Sequence, residues 1–315
     1  MDIGSICLLG GSGFVGAAIA RQSADRGLRV RVVTRRAQRA RALTVLPTVE
    51  VMAGDPHEEA VLERAFEGMD AAVNLVGILH ETRGQSFTAT HTELPRKTAH
   101  ACRAGGVRHL VHVSALGASE KAPSRYLRSK AAGEAALRME SGSVPWTILR
   151  PSVIFGEDDR FLNVFADLVR LFPVIPLAGA RARFQPIWVE DVARCCIAAL
   201  GNAQAFGQVL ELCGPRVYTL AELVEAVAAI LGKRRAVVPL PGPFAEMQAF
   251  FLEHLPGRLM TRDNLRSMEV DNVCSGRLPG VCAFEPAAVE AVLPEYLGSR
   301  TIGARYARYR DLAGR

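Results

Sequence analysis

What the 315-residue chain lacks narrows its class before any motif is read. No apolar run reaches the roughly 20 residues of a membrane span, so no transmembrane segment is expected. The N-terminus enters a core-like strand without a basic segment, apolar stretch and cleavage site, so no signal peptide is expected. Seven cysteines, at 7, 102, 195, 196, 213, 274 and 282, form neither a CxxC pair nor a disulfide-like framework. They read as buried thiols of a reducing cytosol. No cluster has metal-ligand spacing, and there is no internal repeat or low-complexity segment. Charge is close to balanced, with 38 Lys and Arg against 32 Asp and Glu and a net charge of +6, and the arginines are dispersed. Nucleic acid is therefore a poor partner, and a solvated basic surface or an anionic cofactor accounts for the excess. The chain is expected to be cytoplasmic, with peripheral contact at the inner face of the cytoplasmic membrane as the variant of that reading. What remains is a 49% apolar chain with ample core material for one large domain or two unequal ones.

The first strong pattern is Ile3 to Gly16. An apolar run without a period of two ends at Leu9, as expected of a strand buried on both faces of a parallel sheet. It breaks into Gly10, Gly11, Ser12, Gly13, Phe14, Val15 and Gly16, and a helix pattern follows to about Arg26. Gly11, Gly13 and Gly16 fit the dinucleotide fingerprint, in which glycines make the turn, admit the pyrophosphate and bring helix against strand. The helix start then offers free N–H groups and a partial positive charge. Three such glycines can be a tight turn alone; the strand before and the helix after favour the binding reading.

From here strands and helices alternate, the βαβ rhythm of an α/β doubly wound parallel sheet. A second strand, Leu28 to Thr34, ends at Arg35 and Arg36, with Arg39 beyond. An acid at that position would accept from a ribose 2′-OH, whereas arginines pair with a 2′-phosphate, so NADP(H) is preferred and NAD(H) is the alternative. A solvated basic helix start is the plain reading of the same residues. The third strand, Val49 to Ala53, ends in Gly54 and Asp55; the fourth, from Ala71, leads through Asn74 and Val76 to Gly77. Ligands of such sheets lie outside the carboxyl ends of the strands, so Asp55 could touch the adenine and Asn74, Val76 and Gly77 could line the nucleotide's path. Asp55 could equally cap a helix.

A second constellation starts at the end of the fifth strand, His109 to Ser114, and continues to Tyr126 and Lys130. Residues four apart share a helix face, which turns Tyr126 and Lys130 toward Ser114. The ammonium would lower the tyrosine pKa, Tyr126 would act as general acid or base on a carbonyl or carbinol oxygen, and Ser114 would orient that oxygen. The plain alternative is a packed, partly exposed pair.

The glycine loop, Ser114 and the YxxxK pair together resemble the short-chain dehydrogenase/reductase superfamily in its extended or atypical, NAD-dependent epimerase/dehydratase-like branch. More narrowly, SRYLRSKAAGE (124–134), RPSVIFGEDDRFLN (150–163) and QPIWVEDV (185–192) resemble the NAD(P)-binding accessory subunit of mitochondrial complex I and its bacterial relatives. The likeness covers Ile3 to Tyr218. It implies a Rossmann-like cofactor domain with a small C-terminal cap, NADPH as ligand, and a nucleotide held structurally in the mitochondrial subunit.

Trp146 to Arg150 reads as the sixth strand; Pro151, Ser152 and Val153 leave it where backbone groups could hold a nicotinamide carboxamide, or simply where proline stops a strand. Acids in 156–160 and Glu190-Asp191 suit helix starts. Thr219 with Glu222 has capping-box spacing. Phe244 to Leu252 carries an apolar stripe that reads as core or cavity lining before partner or lipid contact. Leu259 to Arg266 and Glu285 to Leu297 read as cap helices, and the Arg-rich tail after Ser299 as loosely ordered. Residues 1–213 are expected to form the cofactor domain, with 156–185 contributing to the substrate side, and 214–315 a mainly helical cap. Two functions follow: an oxidoreductase passing hydride between NADP(H) and the carbonyl or alcohol of an apolar, quinone- or isoprenoid-like substrate, or a non-catalytic NADPH-binding module of a respiratory or quinone-biosynthetic assembly.

Overall fold

The computed structural model describes residues 1–254 and 260–297. Contacts divide them into two units that interleave along the chain. The first comprises Met1–Pro151, Val189–Leu212 and Ser275–Phe284; the second comprises Ser152–Trp188, Cys213–Cys274 and residues 285–297. The sequence reading draws one boundary at 213. The units interleave because the strand Gln208–Leu212 pairs along β6 (Trp146–Pro151), which returns the chain to the first unit after 188.

The first unit is a seven-stranded, wholly parallel sheet. Besides β6 and Gln208–Leu212 it contains β1 (Ser5–Leu9), β2 (Arg29–Thr34), β3 (Val49–Ala53), β4 (Ala71–Asn74) and β5 (His109–Val113). The order is Gln208–Leu212, β6, β5, β4, β1, β2, β3. All five residues of β1 are buried, as the non-periodic apolar run requires. Helices α1 (Phe14–Asp25), α2 (Glu59–Phe66), α3 (Leu94–Ala104) and α4 (Arg125–Glu140) make the crossovers. Cys7, Leu9, Val33 and Leu110 share a core with Leu62 and Phe66 of α2, Cys102 of α3 and Leu137 of α4. α1 packs on the helix Val189–Ala199.

The second unit is built from two-stranded ribbons and helices around Phe155, Leu223, Val227 and Leu293. Its helix starts follow local chemistry. The Asp159 carboxylate accepts from the N–H groups of Phe161, Leu162 and Asn163 at 2.7, 2.7 and 3.2 Å. Thr219 and Glu222 form the expected capping box on Leu220–Ile230. The expected helix near 260 runs Arg262–Ser267 under a Thr261 cap; Leu259 and the tail after Ser299 lie outside the described residues. Among the described residues no helix is long and apolar enough to cross a membrane.

Two expectations are corrected. Four of the seven cysteines pair: Cys195 with Cys282 in the first unit (Cα–Cα 4.9 Å) and Cys213 with Cys274 in the second (6.1 Å), leaving Cys7, Cys102 and Cys196 free and buried. Partners 87 and 61 residues apart carry no local signal and meet only when the fold closes. The apolar stripe of Gly242–His254 is the second: it buries only Ala245 and Ala249 and leaves Phe244, Met247, Phe250 and Phe251 exposed.

A Cβ on Gly16 would lie 2.5 Å from the Gly11 Cα, whereas one on Gly13 would meet only the Gly10 carbonyl, at 3.2 Å. Gly16→Val should therefore lower unfolding free energy by about 1–3 kcal/mol and Gly13→Ala by clearly less, as read by urea denaturation. Equal losses would show that α1 does not depend on this close approach.

Candidate functional site

The glycine turn leaves β1 through Gly10, whose φ of 78° is left-handed. Gly13 is the N-cap of α1 with no side chain capping it, so the N–H groups of Phe14, Val15 and Gly16 open the helix without intrahelical partners. A Cβ on Gly10 would touch the Val76 side chain at 3.2 Å, which places the turn against the chain leaving β4. The Ser12 hydroxyl lies 2.7 Å from that of Thr34, whose oxygen also accepts from the Arg36 N–H at 3.3 Å, tying the turn to the end of β2.

Outside the ends of β2 and β3 lies a cavity of about 290 Å³ lined by Arg35, Asp55, His57, Gln85, Glu93 and Lys97. With the Gln85 amide oxygen facing Arg35, it accepts two guanidinium hydrogen bonds at 2.7 and 2.8 Å. Asp55 accepts from the His57 N–H at 3.1 Å, while the N-cap of α2 is Glu58, so Asp55 closes a turn on the cavity wall and does not cap the helix. Arg35, Arg36 and Arg39 are exposed. Among the described residues none of them pairs with a carboxylate.

Tyr126 and Lys130 project from α4, which starts where the Ser124 hydroxyl accepts from the Leu127 N–H at 3.2 Å. Lys130 is 5% exposed and donates to the Val113 carbonyl at 3.2 Å. A Cβ on Gly77 would stand 3.2 Å from the Lys130 Nζ and 3.6 Å from the His91 Nε2. The loop expected to line the nucleotide's path and the expected acid–base pair thus meet. Burial pushes the Lys130 ammonium down to about 8, partly opposed by Glu134. Burial also pushes the Tyr126 phenol up to about 12. Lys130 does not lower the Tyr126 phenol as its spacing suggests; removal from water penalises both charged forms.

Ser114 is buried beside them, but its hydroxyl donates to the Glu134 Oε1 at 2.6 Å. The same carboxylate, itself 1% exposed, accepts from Arg150 at 2.8 and 2.7 Å and from Arg138 at 3.1 Å. Glu134 and Arg150 fell inside motifs quoted above, yet nothing local marks them as partners 16 residues apart.

His91 is a second group that sequence reasoning missed. It sits on a π-helical turn, Thr88–Glu93, so close to α4 that a Cβ on Gly133 would collide with its carbonyl. Its Nε2 accepts from the Ile78 N–H at 3.0 Å. The proton is therefore on Nδ1, which donates to the Ser129 hydroxyl at 2.8 Å; Ser129 in turn donates to the Tyr126 carbonyl at 2.7 Å. The His91 and Tyr126 rings stand edge to face, 5.6 Å apart. Burial first, then the charges of Lys130 and His112, pull the His91 pKa down to about 2. At the ends of β4 and β5, Asn74 and His112 are register partners. Among the described residues the Asn74 Nδ2 and both His112 ring nitrogens are buried without hydrogen-bond partners, while the Asn74 Oδ1 accepts from the Val76 N–H at 3.1 Å.

Pro151, Ser152 and Val153 offer less free backbone than expected. The Pro151 carbonyl accepts from the Leu116 N–H at 2.9 Å in the first unit. In the second unit the Ser152 hydroxyl donates to the Gln185 carbonyl. There too the Val153 N–H donates to Asn272 at 2.8 Å and its carbonyl accepts from Ile187 at 3.0 Å.

A parallel sheet, a glycine turn at a helix start and a tyrosine–lysine pair at the strand ends define a pyridine-nucleotide-binding class. The chain belongs to the NAD(P)H-binding family, whose model matches residues 10–203. It is 31% identical to the mitochondrial NADH dehydrogenase (ubiquinone) 1 alpha subcomplex subunit 9 of Arabidopsis thaliana, over 85% of this chain and 70% of that one. It is also 31% identical to a ceramide reductase of Caulobacter vibrioides, over 76% of this chain and 74% of the relative. The solved triphenylmethane reductase of Citrobacter sp. shares the fold with a TM-score of 0.75 at 17% identity, over 93% of this chain and 99% of that one.

Because Glu134 joins α4 to the end of β5 through Ser114 and to β6 through Arg150, Glu134→Ala should cost about 2–3 kcal/mol in urea denaturation, leaving Arg150 and Ser114 unpaired in a mostly buried setting. A loss under about 0.5 kcal/mol, the range of ordinary surface substitutions, would show that the clamp is not structural.

Proposed function

We propose that the protein is an NADP(H)-dependent oxidoreductase acting on the carbonyl or alcohol of an apolar substrate. The observation that carries this reading is Gly77 lying against Lys130, which brings the expected nucleotide path to the acid–base pair. Residues Gly10 to Gly16 would cradle the pyrophosphate, Asp55 and the adjoining cavity the adenosine, and Arg35 and Arg36 a 2′-phosphate. When bound, the nucleotide supplies a hydride; the protein's own part is the proton. Tyr126 keeps its proton at neutral pH and serves as general acid toward a carbonyl oxygen. The Lys130 ammonium stabilises the resulting tyrosinate and, titrating near 8, is the source of the replacement proton. The Ser114 proton is held by Glu134, so Ser114 orients a carbinol hydroxyl through its lone pairs. The Caulobacter relative's name, ceramide reductase, supports a lipid-like substrate beside the quinone- and isoprenoid-like ones.

A second reading has its own support. Ser114 is engaged with Glu134, both Val153 backbone groups are engaged within their unit, and the Arabidopsis relative is named as a subunit of NADH dehydrogenase. In that reading the chain holds NADPH as a non-catalytic member of a respiratory or quinone-related assembly.

Stereospecifically deuterated NADPH offered with quinone, isoprenoid and ceramide-like carbonyl compounds separates the two. Label should enter a product, and Tyr126→Phe should slow its transfer by about 10²–10⁴-fold. The reduction rate should be flat below pH 8 and fall above it, as Lys130 loses the proton it passes on. Tight NADPH binding by both proteins with no label moved would favour the module.

Cofactor choice is tested at Arg36. Arg36→Glu should weaken NADPH about tenfold or more, the loss of one charge-assisted contact, with NADH affinity little changed. Equal effects on both nucleotides, measured by fluorescence titration, would remove the arginines from the 2′-phosphate.

A further inference from the structure

The helix Gly242–His254 turns four of its large apolar side chains to solvent. Its small residues face in, with Ala245 and Ala249 buried, while Phe244, Met247, Phe250 and Phe251 are 56, 50, 45 and 62% exposed. Helices that pack for stability do the reverse, since large side chains gain most from burial. The helix is pinned in this orientation by Gln248, which accepts from the Ala178 N–H at 3.1 Å and donates to the Pro176 carbonyl at 2.8 Å. It adjoins the ribbon formed by Val174–Leu177 and Ala236–Pro239. That ribbon turns Ile175 and Leu177 inward and leaves Val174 and Val238 49 and 44% exposed; Leu171 and Phe172, just before it, are 75 and 47% exposed. Large apolar side chains exposed on a helix and on the ribbon it is bonded to mark an interaction site.

The flanking charge selects the partner. Lys233, Arg234 and Arg235 lead into the ribbon and line an open groove of about 520 Å³ with Glu225. Arg235 donates to the Val169 carbonyl at 2.7 Å. Lys233 and Arg234 form no ion pair among the described residues. Arg262 stands over the Phe250 ring at 5.3 Å while paired with Glu253 at 2.7 Å, and Glu246 is the exposed acid on the helix itself. Lys233 and Arg234 lead into the end of the ribbon where the Ala236 N–H donates to the Pro173 carbonyl, between the exposed Phe172 and Val174; exposed apolar side chains with cations at that end fit the surface of an anionic bilayer. A second copy of this chain would bring the same cationic edge against itself. The 13 described residues of the helix are too few to span a bilayer.

We propose that this face of the second unit docks on membranes containing anionic phospholipid, with the phenylalanines in the headgroup–acyl boundary and Lys233 and Arg234 toward the headgroups. The proposal is independent of the nucleotide site.

The test is cosedimentation of the full chain with phosphatidylcholine vesicles, with and without phosphatidylglycerol. The wild type should pellet with the anionic vesicles, and added salt should weaken binding. Phe250→Ser with Phe251→Ser should reduce binding about tenfold or more, and Lys233→Glu with Arg234→Glu about fivefold per residue. Unchanged thermal melting of both variants would show that the fold is retained. The proposal fails if the wild type stays in the supernatant with anionic vesicles, or if folded variants bind as well as the wild type. It also fails if the wild type runs as a dimer that the phenylalanine variant dissociates while neither binds vesicles, since the face is then a self-association surface.

Discussion

The geometry of the first unit depends on one buried carboxylate. Glu134 lies on α4, accepts from Ser114 at the end of β5, from Arg150 on β6 and from Arg138 one turn along its own helix. An ionised carboxylate buried without partners would be very costly, so the helix is held in the rotation that lets three donors reach it. That rotation carries Lys130 one turn and Tyr126 two turns upstream, onto the strand ends. The negative charge also offsets part of the burial cost of Lys130, and hydrogen bonding to Glu134 raises the pKa of Arg150.

Around that clamp the strand ends converge. In a parallel sheet every strand points its carboxyl end the same way, so turns distant in sequence collect along one edge. Gly10 meets Val76, and Gly77 meets Lys130 and His91, because β1, β4 and β5 are neighbours. The edge is polar, and among the described residues the Asn74 Nδ2 and both His112 ring nitrogens are buried without hydrogen-bond partners. Tyr126 is held by neighbours of its own, through Ser129 to His91 and by ring contact with His91 and Phe87. The acid–base pair is thus positioned by a lattice of contacts around the two residues that sequence spacing points to.

The second unit obeys the same local rules with a different outcome. Its caps at Asp159 and Thr219 are where short-range chemistry puts them. Its helix Gly242–His254 has an apolar stripe whose direction composition cannot give, because small and large apolar residues both count as core material until packing chooses between them.

Much of this protein was legible one segment at a time. The buried strand before the glycine turn, the βαβ alternation, the capping box at Thr219 and the Tyr126–Lys130 spacing each depend on residues within a few positions of one another. Backbone sterics and periodicity therefore settle them before the chain folds. The pairing of Cys195 with Cys282, the grip of Glu134 on Arg150, the reach of His91 to Tyr126 and the outward turn of Phe251 join groups far apart in sequence or weigh one face against another. Those were decided only by tertiary structure, because burial sets both which partners are within reach and what each charge costs, as the opposed shifts of Tyr126 and Lys130 show.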